Sequence, residues 1–188
     1  MKPKRRTHLS KFLSKVLRHT PEAIGIALEP GGWVAIDDLI AAAGRAGVDF
    51  TRDELDEVVR SSDKQRFAID ESGTKIRANQ GHSAEVELQF ETADPPALLY
   101  HGTPERNVEA ILRDGLLKMA RHHVHLSADM QTAAKVGERR GKAAILVIEA
   151  ARMRAAGIEF FRSANGVWLV DHVPPRFISC LRNGRLRT

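Results

Sequence analysis

The chain has 188 residues, with 29 lysines and arginines against 24 aspartates and glutamates, and a formal net charge of +5 at pH 7. This length accommodates one large domain or two small ones. A lone cysteine, Cys180, excludes a disulfide framework and a cysteine-rich zinc site. No apolar run approaches the length of a membrane span, and the first residues lack the apolar core of a signal peptide. We therefore expect a cytoplasmic protein with no membrane partner.

The positive charge is concentrated towards the two ends of the sequence. Residues 1–21 contain no acid but carry Lys2, Lys4, Arg5, Arg6, Lys11, Lys15 and Arg18. No acid follows Asp171, whereas four arginines do: Arg176, Arg182, Arg185 and Arg187. Such ends favour a polyanionic partner, RNA ahead of a membrane, although they could also be solvated charged termini. Because tryptophan and tyrosine are scarce, any RNA contacts should be mainly to phosphate and sugar.

The first half of the chain predicts three helices followed by a hairpin. The first helix carries an apolar stripe and should end before Pro21, with Arg18 and His19 in its last turn. A second, short helix begins near Ile36 and ends near Gly44, and Thr51–Glu54 forms a capping box for a third. Residues 67–69 and 75–77 read as the two strands of a hairpin. This order is typical of a winged-helix module.

The second half predicts a small α+β domain on a split, mostly antiparallel sheet. It begins after a proline-containing linker at residues 92–96. One helix should begin at Thr103-Pro104 and end near Gly115, and another should run from Met130 to about Arg139. Asn165-Gly166 predicts a tight turn between two strands. The predicted strands are residues 98–101, 124–126, 143–148, 158–161 and 167–170.

Two segments of this half suggest a nucleotide site. Leu99–Pro104 should deliver a histidine, a glycine and a hydroxyl to the start of a helix, and His123–Ser127 places two histidines at alternate strand positions. Helix N-termini suit pyrophosphate, and histidine and threonine suit ribose hydroxyls, so a dinucleotide pocket is plausible. The Gly-x-Gly-x-x-Gly fingerprint is missing. His123 and His125 could instead ligate zinc, but no further ligand completes a set, and we predict no metal site.

Three cationic clusters could bind phosphate, and each has a simpler explanation. Arg18-His19 combines a bidentate phosphate donor with a group that titrates near neutral pH, but it could also complement a helix dipole. Arg66 alternates with core-facing neighbours and could be a solvated strand edge. Arg139-Arg140 lies where a helix is expected to end, and cations are common there. Taken singly, none of these patterns decides between the two explanations.

Seven segments, taken together and in order, resemble the RNA 2′-phosphotransferase family, the NAD-dependent enzymes that remove a 2′-phosphate from RNA. They extend across nearly the whole chain, so the combination is specific even though some single segments are not. The segments are Leu9–His19, Ser61–Phe67, Ile76–Ser83, Leu99–Thr103, Arg121–Ser127, Val136–Arg139 and Phe160–Leu169.

The resemblance implies two lobes and a set of catalytic cations. Residues 1–92 would form a winged-helix lobe that binds RNA, and residues 97–188 an ADP-ribosyltransferase-like lobe that binds NAD as co-substrate. The family's Arg, His, Arg, Arg set maps onto Arg18, His19, Arg66 and Arg139. The family usually has Arg-His-Gly where this chain has Arg139-Arg140-Gly141, so either arginine could face the phosphate, with the register favouring Arg139.

The resemblance also indicates which residues contact NAD. The wider transferase superfamily has a three-residue signature, whose positions here are His101, His125 and Val167. Protein-modifying relatives often have a glutamate at the last position, so Val167 argues against a carboxylate that activates the acceptor. The full set of NAD contacts that we expect is His101, Gly102, Thr103, His125, Ser127, Asn165 and Val167.

The implied reaction needs no general base, because an RNA 2′-phosphate is already an anionic nucleophile. It would attack NAD, release nicotinamide and give a 2′-phospho-ADP-ribosylated RNA, which then yields 2′-OH RNA and ADP-ribose 1″,2″-cyclic phosphate. His19 would either assist a proton transfer or hold the phosphate. Such phosphates can arise at spliced junctions, which would connect the chain to tRNA splicing and RNA repair. The alternatives are a transferase that caps terminal phosphates of nucleic acid and a non-catalytic RNA-binding module.

Overall fold

The computed structural model describes residues 1–62, 64–138, 141–182 and 185–187. The chain divides into two compact units, Met1–Gln89 and Phe90–Thr188, each with its own cluster of buried apolar side chains. Both combine helices with antiparallel sheet, which confirms the predicted α+β class. Residues 92–96, predicted as a linker, lie within the second unit, where the Ala93 amide donates to the Phe160 carbonyl. Among the described residues, no helix combines the length and apolarity needed to cross a bilayer.

The first unit contains three helices and a three-stranded antiparallel sheet with the order β1-β3-β2. The helices and the hairpin occur where the sequence predicts them, and the structure adds β1, which pairs with the second hairpin strand. In chain order the elements are α1 (Pro3–Val16), β1 (Trp33–Ala35), α2 (Ile36–Arg45), α3 (Arg52–Arg60), β2 (Phe67–Ile69) and β3 (Lys75–Ala78).

The end of α1 differs from the prediction in a way that matters for the site. The helix ends at Val16, and the amides of His19 and Thr20 both donate to the Lys15 carbonyl, at 2.9 and 3.1 Å. Because two amides share one acceptor, the regular pattern of helical hydrogen bonds ends before Pro21. Arg18 and His19 therefore lie in the turn after α1, not in its last turn. The third helix begins as predicted, with the reciprocal capping box of Thr51 and Glu54.

Among its described residues, the second unit contains three short α-helices and nine stretches of β-sheet. Five of those stretches overlap the strands predicted from the sequence, whereas α6, β5, β10, β11 and β12 were not anticipated. The elements are β4 (Leu99–Pro104), α4 (Val108–Asp114), β5 (Leu116–Leu117), β6 (Val124–Leu126), α5 (Met130–Gly137), β7 (Ala143–Ile148), α6 (Ala150–Ala155), β8 (Phe161–Arg162), β9 (Trp168–Val170), β10 (His172–Val173), β11 (Ile178–Arg182) and β12 (Arg185–Arg187).

The strands of this unit form a split sheet in which every described pairing is antiparallel. One part has the order β12-β11-β7-β4, a second has the order β6-β9-β8, and β10 pairs separately with β5. The first two parts meet where Tyr100 and Ser127 exchange backbone hydrogen bonds of 2.9 and 2.8 Å. This bridge sets β4 beside β6, and β6 in turn lies beside β9.

The helix predicted to begin at Thr103-Pro104 begins later, after a short 3₁₀ turn at Glu105–Asn107. Thr103 and Pro104 belong to β4, where they pair with Ala144 and Ala143 of β7, and α4 begins only at Val108. A hydroxyl residue followed by proline is common at a helix N-terminus. Here the hydrogen bonds to a long apolar strand outweigh that local preference. The predicted end of this helix is correct, since Gly115 follows α4 with a φ of +87°.

Helix α5 packs directly onto β4 through two glycines. A Cβ atom at Gly102 would lie 1.7 Å from the carbonyl oxygen of Ala133, and one at Gly137 would lie 3.1 Å from the Thr103 amide nitrogen. Both neighbours are backbone atoms, which cannot rotate away as a side chain can. Gly102 therefore sets how closely the helix approaches the sheet.

We predict that Gly102→Ala lowers the free energy of unfolding of the second unit by about 3 kcal/mol, the upper part of the usual range for overpacking. Urea unfolding can be followed by Trp168 fluorescence in a Trp33→Phe background, because Trp168 lies in the second unit and Trp33 in the first. Gly44→Ala is the matched control, since a Cβ there meets only the side chain of exposed Asp49. An unchanged midpoint for Gly102→Ala would show that α5 is not held this close to β4.

Candidate functional site

Arg18, His19 and Arg66 are brought together in the first unit. Arg18 lies in the turn after α1, and its Nη2 donates to the Arg66 carbonyl at 3.3 Å. The Arg18 guanidinium also lies 5.9 Å from the centre of the Phe67 ring, within cation–π range. Residues separated by more than forty positions in the sequence are thus held in one place by a direct hydrogen bond.

The loop after β3 fixes the backbone of both arginines. The amides of Ser83 and Ala84 donate to the Arg18 carbonyl at 2.8 and 2.9 Å, and the amide of Asn79 donates to the Arg66 carbonyl at 2.9 Å. The loop therefore joins the turn after α1 to the residue just before β2. Segment 76–83, which enters the sequence analysis only through the family resemblance, has a clear physical role here.

His19 is oriented by a serine of the same loop. Its Nδ1 lies 2.8 Å from the Ser83 hydroxyl, which can donate to a neutral ring or accept from a protonated one. The side chain is otherwise exposed. The histidine is therefore held in either protonation state, as a group that holds or protonates a phosphate requires.

Arg66 is positioned through Ser62 and Asn79. The Ser62 hydroxyl accepts from the Arg66 amide and from Arg66 Nη1, at 3.3 and 3.4 Å. The preceding residue, Gln65, has a φ of +41°, which is unusual for a side-chain-bearing residue, and its carbonyl accepts a hydrogen bond from the amide side chain of buried Asn79. Ser62, Asn79 and Ser83 are positioning residues that the sequence analysis missed, although serine and asparagine in turns commonly bond to backbone.

In the second unit, a histidine pair marks the candidate nucleotide site. His101 Nδ1 donates to the carbonyl oxygen of His125 at 3.0 Å, across the β4–β6 boundary. Burial lowers the pKa of His101, the bond to the His125 carbonyl opposes this, and Arg121 lowers the pKa further. The ring is therefore neutral at pH 7 with its proton on Nδ1, which leaves Nε2 as an acceptor.

Two of the expected NAD contacts, Gly102 and Thr103, also take part in the packing of this unit. Gly102 lies under α5, as described above, and Thr103 is buried with only 3% of its surface exposed. The Thr103 hydroxyl accepts a weak hydrogen bond from the Asn107 side chain at 3.5 Å. Both residues belong to β4, and the helical segment that follows begins with a 3₁₀ turn at Glu105–Asn107, two residues after Thr103.

The remaining expected contacts, Ser127, Asn165 and Val167, lie next to strands β6 and β9 and not within them. Ser127 is the partner of Tyr100 in the bridge between the sheets, and Leu126 pairs with Trp168, the residue after Val167. In the turn between β8 and β9, the Ser163 hydroxyl donates to Asn165 Oδ1 at 2.7 Å and accepts from the Val167 amide at 3.1 Å. Gly166 completes this turn with a φ of +78°, as Asn165-Gly166 predicts.

His123 is packed between aromatic rings. Its ring centre lies 5.8 Å from that of Phe90 and 5.5 Å from that of Phe161, both edge-to-face. Burial is the main cause that lowers the pKa of His123, and neighbouring His122 and Lys118 add to it. In the part of the chain that the structure describes, no group of three or more histidine, cysteine, aspartate or glutamate side chains could hold a metal ion. Arg139 and Arg140 lie outside the described residues.

Comparisons with known proteins show which family the chain is similar to. A sequence profile described as "RNA 2'-phosphotransferase, Tpt1 / KptA family" matches residues 4–172. Proteins named "Probable RNA 2'-phosphotransferase" are similar along almost their whole length. The one from Nostoc punctiforme is 57% identical over 178 residues, which are 95% of this chain and 98% of the relative. Those from Streptomyces griseus and Pseudomonas syringae are 51% and 46% identical, each over 95% of this chain and 98% and 96% of the relative. The chain belongs to the RNA 2′-phosphotransferase family.

Proposed function

We propose that this protein removes a 2′-phosphate from RNA by transferring it to NAD. The observation that carries the proposal is the joint placement of Arg18, His19 and Arg66 by the loop that follows β3. Three groups that can carry positive charge and donate hydrogen bonds, gathered in one place, suit a phosphate dianion. The membership of the family supports the same substrate.

We assign the RNA substrate to the first unit and NAD to the second. Three helices with an antiparallel hairpin support a winged-helix RNA-binding lobe. A split antiparallel sheet with histidines on two adjoining strands supports an ADP-ribosyltransferase-like lobe. The neutral His101 ring fits a ribose, because its Nε2 can accept a hydrogen bond from a sugar hydroxyl.

The proposed reaction has two steps, in which bonds and charges balance. A 2′-phosphate oxygen bonds to the anomeric carbon of the nicotinamide ribose as the bond to nicotinamide breaks, and neutral nicotinamide leaves with the bonding electrons. The 2″-hydroxyl of the attached ADP-ribose then attacks the phosphorus. The bond from phosphorus to the RNA 2′-oxygen breaks, and a proton passes to that oxygen. The products are 2′-OH RNA and ADP-ribose 1″,2″-cyclic phosphate.

The cations act mainly in the second step, which concentrates charge on the phosphate oxygens. Donors fixed before the reaction stabilise such charge without having to reorganise. Arg18 and Arg66 each have their backbone held by the loop after β3, so their guanidinium groups start from a fixed base. His19 either passes the proton to the leaving 2′-oxygen or holds the phosphate. Val167 offers no carboxylate, and none is needed, because the nucleophile is already charged.

Arg18→Ala and Arg66→Ala should each lower the rate of 2′-phosphate release by about 10²–10³-fold, the range for loss of one preorganised donor. The measurement is single-turnover release from 2′-phosphorylated RNA with saturating NAD, alongside a thermal melt to confirm folding. Arg45→Ala, an exposed arginine at the end of α2, is the matched control and should retain its rate. Near-normal turnover by folded Arg66→Ala would remove that residue from the catalytic set.

The fourth cation can be identified by comparing two neighbouring variants. Arg139→Ala is expected to show the same large loss, because the register of the family places this residue in the set, whereas Arg140→Ala should lose less than tenfold. The same single-turnover assay measures both. The reverse order of the two rates would assign the phosphate contact to Arg140.

Activity should require NAD and should survive chelation by EDTA, because no proposed step needs a Lewis acid.

Product analysis by mass spectrometry should find nicotinamide, 2′-OH RNA and ADP-ribose cyclic phosphate in equal amounts. Stable ADP-ribosylated RNA as the end product would instead support the phosphate-capping transferase. Binding of RNA with no NAD-dependent product would support the non-catalytic module. If EDTA abolished activity and zinc restored it, the zinc-site interpretation of His123 and His125 would be supported.

NAD binding should weaken below the ordinary histidine pKa of about 6.5. Burial lowers the pKa of His101, so the ring is neutral above this pH and becomes protonated only as the pH falls through the lowered value. A protonated ring has no acceptor for the ribose hydroxyl. Calorimetric titration with NAD between pH 5 and 8 measures the effect, and His101→Gln, which keeps an acceptor and cannot be protonated, should bind independently of pH. An unchanged pH dependence in that variant would exclude His101 as the cause.

A further inference from the structure

A groove of about 420 Å³ in the first unit leads away from the proposed phosphate site. One wall is a single face of α1, because the lining residues recur at intervals of three or four positions from Thr7 to His19. The other wall is formed by Val58 near the end of α3, by Ser61 and Ser62, and by Arg66. His19 and Arg66 belong to both the groove and the proposed phosphate site, so the two are continuous.

The groove is positively charged. Arg6, Lys11, Lys15 and Arg66 contribute cations, and no aspartate or glutamate is among the described residues that line it. Lys11 and Lys15 are both exposed. Neither of these lysines has a carboxylate partner in the described part of the chain. A surface of this kind attracts polyanions.

Three acidic residues of neighbouring α3 are paired with positively charged groups. Glu54 is hydrogen-bonded to the Arg5 guanidinium, whose Nη2 lies 2.7 Å from Glu54 Oε2. Asp56 pairs with Arg52 at 3.0 Å, and Glu57 accepts from the N-terminal amino group at 2.8 Å. These pairs offset carboxylates that would otherwise reduce the positive potential beside the α1 face. Glu57 also lies 4.0 Å from Arg6, so among the described residues this groove cation, unlike Lys11 and Lys15, has a carboxylate nearby.

Hydroxyl groups alternate with the cations along the groove. Ser10 precedes Lys11, Ser14 precedes Lys15, and Ser61 and Ser62 contribute from the opposite wall. Hydroxyls can donate to phosphate oxygens and exchange hydrogen bonds with ribose 2′-hydroxyls. The lining contains no phenylalanine, tyrosine or tryptophan on which a base could stack. The groove therefore has the groups to contact a sugar–phosphate backbone but not to select bases.

We propose that this groove binds the single-stranded RNA that flanks the 2′-phosphorylated nucleotide, with backbone phosphates on Lys11 and Lys15. The inference rests on the proposed function, since it places the reacting phosphate at His19 and Arg66. The face of α1 from Thr7 to Lys15 spans about 12 Å at 1.5 Å per residue, so it extends well beyond one phosphate. The groove thus accounts for affinity that does not depend on sequence, while the cation cluster at its end performs the chemistry.

The test is Lys11→Gln/Lys15→Gln in the full chain, with Lys2→Gln/Lys4→Gln as the control. The control removes the same charge from the start of α1, at residues that do not line the groove. Binding of an unphosphorylated, unstructured oligoribonucleotide is measured by fluorescence anisotropy at several salt concentrations. This readout needs neither NAD nor turnover, so it stands even if the proposed reaction fails.

Each phosphate contact on a single strand contributes about 0.7 to the slope of log K against log salt. Loss of two contacts should lower the slope by about 1.4. When the salt concentration rises fourfold, the affinity of this variant should therefore fall by a factor about seven times smaller than that of the parent protein. The control variant should change the slope by less than half as much. Equal slopes for the two double variants would overturn the proposal, because the charge would then act without regard to the groove.

Turnover provides a second and separate readout. For a 2′-phosphorylated RNA with long single-stranded flanks, the groove variant should raise KM about tenfold or more, whereas a 2′-phosphorylated dinucleotide should show less than a twofold change. An equal rise in KM for both substrates would also overturn the proposal, since it would place the lysines at the reacting phosphate. If the parent protein processes neither RNA, the proposed function fails, and the binding measurement still decides the groove.

Discussion

The candidate site of the first unit depends on two backbone carbonyls, those of Arg18 and Arg66. Each accepts hydrogen bonds from the loop after β3, and the Arg66 carbonyl also accepts from the Arg18 side chain. The Arg18 guanidinium donates to the Arg66 carbonyl, and the Arg66 guanidinium donates to the Ser62 hydroxyl. Both acceptors are neutral, so these two hydrogen bonds orient the guanidinium groups without offsetting their charge, as a carboxylate acceptor would.

The same reasoning explains where the acidic residues of this unit lie. Helix α3 begins with a capping box, which places negative charge at its N-terminal end, where the helix dipole favours it. The carboxylates of Glu54 and Asp56 then bind arginines that do not line the groove. Exposed pairs of this kind contribute little to stability. Their effect here is on the distribution of charge, since they pair carboxylates of the acidic helix α3, which itself contributes Val58 to the basic groove.

The sequence predicted the elements whose signals are local and strong. The capping box at Thr51, the turn at Asn165-Gly166 and the apolar run of β7 are all where the patterns indicate. The failures occur where tertiary pairing decides. Thr103 and Pro104 form strand because β7 pairs with them, and β5 and β10 are too short to leave a pattern of their own. Long strands bordered by turn residues can be predicted from the sequence, whereas edge strands and two-residue strands cannot.

The candidate site was predicted in part for a related reason. Arginine and histidine can be chosen by residue type, and Arg18, His19 and Arg66 do come together. The residues that position them cannot be chosen this way, because Ser62, Asn79 and Ser83 act through single hydrogen bonds to backbone or ring atoms. Gly102 was assigned to the correct strand, but its packing role was not anticipated. Its small size is required by the Ala133 carbonyl, a neighbour that no local pattern reveals.

The two units meet opposite electrostatic requirements, and this contrast matches the two proposed substrates. The first gathers cations whose charge does not change near neutral pH, and such groups suit a phosphate that stays anionic throughout the reaction. In the second, burial lowers the pKa of His101 and of His123, so that both rings stay neutral. A neutral ring can accept from a ribose hydroxyl and does not repel the positively charged nicotinamide ring. A protonated His101 would oppose NAD on both counts, so the burial that keeps it neutral is itself part of how the second unit would select its ligand.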